Sequence, residues 1–89
     1  MTLEVPSVTA IAGELRRHVA AHVVAEGVVV DGAAPLASMG IDSATLLGIL
    51  LFLEQRFGVM VPDAELNRAN LASLDALATC VHRLARGAA

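Results

Sequence analysis

Eighty-nine residues suffice for one small domain, and at 56% hydrophobic but only 2% aromatic its core must be built from Leu, Val, Ile, Ala and two Phe. The net charge of −3 comes with six scattered arginines and no lysine, which excludes the basic stripe that nucleic-acid binding needs. The lone Cys80 cannot close an internal disulfide, no charged segment precedes an apolar one at the N-terminus, and the apolar run Leu46–Leu53, broken by Gly48, is far shorter than the ~20 residues that span a bilayer; a reduced, cytoplasmic protein with no membrane partner is expected.

Met1 to Pro6 reads as a loose lead-in. Ser7 is placed to cap a first helix, in which Val8, Ile11, Ala12, Leu15, Val19 and Val23 recur at helical spacing. That helix is expected to run to about Ala25, with Gly27 ending it. Arg16, Arg17 and His18 lie off the stripe, in later turns where positive charge suits the helix dipole. His18 and His22 are four apart, but zinc needs further ligands and none stands at suitable spacing. A solvated His18 and a stripe-edge His22 are expected instead.

Glu26 to Ile41 holds Gly27, Asp31-Gly32 and Pro35, all turn signals, and reads as a long loop. Val28-Val29-Val30 has strand composition, but no second strand is visible to pair with it. The loop is therefore expected to be pinned onto the helices by some of these valines, Leu36 and Ile41.

The stretch Met39-Gly40-Ile41-Asp42-Ser43-Ala44-Thr45-Leu46-Leu47 opens a second helix, expected over Ser43 to Phe57. Asp42 and Ser43 are both good capping residues, and Gly40 can take backbone angles that a β-carbon resists. At such a helix mouth the first amides lack intrahelical partners and the dipole is positive, so a phosphate on Ser43 would be electrostatically favoured. No His or Lys follows within eighteen residues to activate the hydroxyl as a nucleophile. The residue reads as a serine that is modified.

At 100° per residue, Leu46, Ile49, Leu50, Leu53 and Phe57 share one arc, assigned to the core. Ala44, Leu47, Gly48, Leu51 and Gln55 share another. With that arc exposed, Leu47 and Leu51 form an apolar patch beside Ser43, and such patches mark partner sites; Ala44, Leu47, Gly48 and Leu51 are the candidate partner-binding residues.

Gly58 is a natural helix-ending residue, and Val59 to Val61 should be extended before Pro62. Asp63 is placed to cap a short third helix, Ala64 to about Ala69, with Leu66 inward. Ser73 caps the last helix, Leu74 to about Ala85, whose inward stripe is Leu74, Leu77, Ala78, Val81 and Leu84. Cys80 flanks that stripe as core filler: His82, two residues on, faces roughly the other side.

Gly40-Ile41-Asp42-Ser43, Leu46-Leu47, Glu54-Gln55-Arg56-Phe57-Gly58-Val59 and Val61-Pro62 together resemble the acyl and peptidyl carrier proteins. The resemblance implies an all-α fold, a small bundle of three long helices with one short third helix and a long first loop, over about Ser7 to Arg86 of a single domain 1–89. It implies 4′-phosphopantetheine carried covalently on Ser43, with Asp42 as the motif neighbour. It also implies a non-catalytic role and, as partners, a phosphopantetheinyl transferase, an acyl- or aminoacyl-loading ligase and a downstream acyltransferase or synthase, the carrier itself being monomeric.

The sequence departs from the fatty-acid carriers in lacking acidic residues along the outer face of the second helix, where only Glu54 remains; contacts there are expected to be mainly apolar. Pro62 to Ser73 is similar to the D-alanyl and stand-alone aminoacyl carriers, which implies an acyl or aminoacyl cargo of polyketide or nonribosomal-peptide type, as in antibiotic biosynthesis. The competing reading is a non-carrier helical adaptor that binds a partner helix through Leu47 and Leu51. It gives no reason for Asp42-Ser43 to be followed by the Phe-Gly and Val-Pro steps.

Overall fold

The first helix opens where its sequence requires. In the computed structural model, which describes residues 5–87, Ser7 Oγ accepts from the Ala10 N–H at 3.1 Å and begins α1, Val8–His22. Ile11, Ala12, Leu15 and Val19 are buried, with Val8 and Val23 packed on the core from its margin. The helix stops at His22 rather than about Ala25. Val23 and Val24, two β-branched residues with low helix propensity, both send their N–H groups back to the Val19 carbonyl, and Gly27 turns the chain at φ 90°. The lead-in Met1 to Glu4 lies outside the described residues.

The second helix, α2, spans Ser43–Phe57, and the last, α3, spans Leu74–Gly87. Ser73 Oγ accepts from the Ala76 N–H at 3.1 Å, and Leu74, Leu77, Ala78, Cys80 and Val81 are buried. α3 continues past Ala85, so Gly87 lies in its final turn. The α1 and α3 backbones pack closely, whereas α2 stands further off and reaches α1 through longer side chains. Arg56 Nε meets Glu14 Oε1 at 2.7 Å, and Phe52 stacks on His18 with centroids 3.8 Å apart and planes within 9°.

His18 is thus not a solvated side chain: the helix that follows the loop supplies an aromatic cover. Burial against that ring, and secondarily the neighbouring His22, lowers its pKa. His22 is exposed.

The first loop is held by what it buries. Leu36, Met39 and Ile41 enter the core and Val30 packs on it, while Val28 and Val29 stay exposed. Leu36–Met39 forms a 3₁₀ turn, closed by Gly40 in the left-handed region at φ 77°. Gly32 has a role beyond turning: its carbonyl accepts from the Asp75 N–H at 2.9 Å. A β-carbon at Gly32 would collide with the Asp75 carboxylate and the Arg16 guanidinium, themselves joined at 3.2 Å.

The second connection differs from expectation. Gly58 ends α2 at φ 66° and Val59 is buried, but the third helix shrinks to one 3₁₀ turn, Asp63–Glu65. Beyond it the side chains take over the bonding. The Asn70 N–H donates to Asn67 Oδ1 at 2.9 Å and Asn70 Nδ2 donates to the Glu65 carbonyl at 2.8 Å, replacing a helical ladder with local side-chain bonds. Leu66 is exposed rather than inward. The architecture is all-α, with three α-helices, two 3₁₀ turns and no strand among the described residues.

Candidate functional site

Gly40 and Ile41 deliver the chain to the mouth of α2, the first by its left-handed conformation and the second by burying its side chain. Asp42 follows in an extended conformation and acts as N-cap: its Oδ1 accepts from the Thr45 N–H at 2.8 Å while its carbonyl accepts from the Leu46 N–H at 2.8 Å. The Thr45 backbone N–H is also the main reason the Asp42 carboxyl is held below its usual pKa. Because the folded-state value is depressed, the cap contributes fully above about pH 4. The contribution is lost as pH falls through the depressed value.

Ser43 is the first residue of the helix and is exposed. Its own N–H and that of Ala44 have no carbonyl one turn earlier to bond to, so they add partial positive charge beside the hydroxyl. Among the described residues, no hydrogen bond links a base to the Ser43 hydroxyl, and no cluster of three or more His, Cys, Asp or Glu is arranged to hold a metal. The site can anchor an anionic substituent at an accessible oxygen.

Along the helix from that oxygen, the two arcs separate. Ile49, Leu50 and Leu53 are 0%, 8% and 0% exposed, with Leu46 and Phe57 packed beside them. Leu47 and Leu51 are 60% and 50% exposed, and Ala44, Gly48 and Gln55 share their open face. A β-carbon on Gly48 would meet nothing within 4 Å. Glu54, the one acidic residue that the sequence left available for docking, is half-buried and spent within the fold: its Oε2 accepts from the Val61 N–H at 2.9 Å.

The other candidates stand apart from this site. His18 and His22 have ring centroids 5.2 Å apart. Cys80 is buried, which raises its pKa and keeps the thiol protonated, and His82 is directed to the Pro6 carbonyl, 2.9 Å from its Nδ1. At the far end of α2, a solvent-open cavity of 510 Å³ is lined by Gly58, Val59, Met60, Pro62, Arg83, Leu84 and Gly87. It lies about 22 Å of helix rise from Ser43. Sequence reasoning did not flag it. Its one advance signal is Met60, a large apolar residue that stands exposed beside the buried Val59.

The family model described as phosphopantetheine attachment site matches residues 14–81. No curated protein matches the chain.

Proposed function

The chain belongs to the phosphopantetheine attachment site family, and from that premise we propose that Ser43 is its attachment point and that residues 1–89 form one discrete, cytoplasmic carrier domain. The group that such a domain carries covalently supplies a terminal thiol on which a carboxylic acid is held as a thioester. The observation that supports Ser43 is its position: an exposed hydroxyl on the first residue of α2, where the positive end of the helix dipole favours a phosphodiester.

The remaining roles follow from the same geometry. Asp42 fixes the helix start through Thr45, which holds the Ser43 hydroxyl outward for a phosphopantetheinyl transferase. Ala44, Leu47, Gly48 and Leu51 offer an uncharged shelf on which a loading ligase, and then an acyltransferase or synthase, docks by apolar contact. With Glu54 withdrawn into the fold, docking should depend little on salt. The likeness of Pro62 to Ser73 to aminoacyl carriers supports an acyl or aminoacyl cargo of polyketide or nonribosomal-peptide type. Carriers of this family are handled by enzymes rather than acting as enzymes.

Intact mass decides the assignment. After incubation with coenzyme A, Mg²⁺ and a promiscuous transferase, the wild-type chain should gain one phosphopantetheine and Ser43→Ala none. A wild-type chain that gains nothing is instead the helical adaptor, and a gain that persists in Ser43→Ala moves the attachment to another residue.

A further inference from the structure

The chain has three histidines, and their ring nitrogens are used differently. His82 places Nδ1 2.9 Å from the Pro6 carbonyl, the one histidine side-chain hydrogen bond among the described residues. His18 and His22 stand four residues apart on α1, a spacing that puts both rings on one face of the helix. His18 is half-buried and His22 exposed.

Their separation matches what a shared metal ion requires. The ring centroids are 5.2 Å apart, with the planes tilted by 45°. A zinc ion lies about 2.0–2.1 Å from an imidazole nitrogen and so about 3.2 Å from the ring centre; a tetrahedral angle at the metal then sets two such centres about 5.2 Å apart. One of the two ligands is already held in place. Phe52 of α2 stacks on the His18 ring at 3.8 Å with the planes within 9°, which covers a face of the ring and leaves its edge, where a nitrogen lone pair points, to other partners. A ligand fixed in orientation by a neighbour loses less freedom when it takes up a metal.

We propose that His18 and His22 form an open two-point site for a late first-row divalent cation of the class that favours imidazole, with zinc as its representative. Glu14, one turn before His18, is taken up by Arg56 at 2.7 Å, and no third His, Cys, Asp or Glu joins the pair among the described residues; water completes the coordination. The chelate ties the last residue of α1 to a ring already stacked on α2. It does so where Val23 and Val24 both bond back to the Val19 carbonyl and the first loop departs. The site is independent of what Ser43 carries.

The test is titration of the untagged, full-length chain with zinc chloride, followed by NMR through the ring-nitrogen shifts of its histidines. One zinc per chain should move the His18 and His22 nitrogens together and leave those of His82 in place. Equal movement of all three rings is adventitious binding and overturns the site, as does no movement with zinc in excess. His22→Ala, at an exposed residue, should weaken zinc binding at least about tenfold; unchanged affinity would leave His18 a lone ligand and overturn the chelate. Zinc should also slow hydrogen exchange at the Val23 N–H in the wild-type chain and not in His22→Ala. Slowing of the same size in both would place the metal elsewhere and overturn the proposal. Should His22→Ala unwind the end of α1, the ring shifts of the wild-type chain still decide.

Discussion

The two long faces of α2 use the same vocabulary and meet opposite fates. The inner face, Ile49, Leu50 and Leu53, is enclosed; the outer face, Leu47, Gly48 and Leu51, is open from end to end. Chemistry does not distinguish leucines at 50 and 51. What distinguishes them is which arc meets α1, α3 and the buried anchors of the first loop. The lesson is that the apolar surplus on α2 is not a packing need of the domain, because the core closes without it. That open, uncharged face is the one on which the proposed docking of partner enzymes depends.

That comparison can be broken from either side. The largest effect belongs to the inner face: Leu53→Ala removes a fully buried side chain and should lower stability by about 2–5 kcal/mol. Urea unfolding that shifts by less than about 1 kcal/mol would mean the inner face is not the one that holds the bundle. Next comes Gly48→Ala, where the new methyl meets nothing within 4 Å. It should stabilise the fold by up to about 1 kcal/mol of helix propensity and so raise the melting temperature; a fall would reveal a close neighbour over the outer face. Smallest in its effect on the fold is Leu47→Asp, expected within about 0.5 kcal/mol of wild type in the same unfolding experiment. The same variant, once loaded with its prosthetic group, should lose at least about tenfold in kcat/KM with its acylating enzyme. Normal kinetics there would show that the partner reads another surface.

Where a local rule is strong, the sequence was a sufficient guide. Asp42 and Gly58 bracket α2 because a capping carboxylate and a left-handed glycine act within one turn of themselves, and the expected bounds Ser43 to Phe57 match the structure. The split of its apolar residues into two arcs was equally legible, since it needs only the helical period. The third helix was not. Asp63 to Ala69 has an acceptable start, but Asn67 and Asn70 offer their side chains to backbone groups that a helix would have used. Propensity reasoning counts such residues as mildly unfavourable when they are decisive in pairs.

Long-range partners account for the other departures. Nothing near Glu54 in sequence shows that its carboxylate will take the Val61 N–H after the chain has turned, and His18 gives no hint of Phe52. Gly32 read as a turn residue because its immediate neighbours are turn residues. That it sits where Arg16 and Asp75 meet depends on three segments arriving together. At the candidate site, the accessible hydroxyl on the first turn was legible in four consecutive residues. The competition for Glu54 that leaves the adjoining face uncharged was not.

The Pro6 carbonyl rests against His82, and Gly58 and Gly87 line one cavity; both described ends of the polypeptide therefore emerge at the pole where α2 finishes. Ser43 stands at the other. A sequence spliced onto either end would leave from the pole opposite Ser43, so the proposed attachment point would stay unobstructed whether the domain were free or leashed.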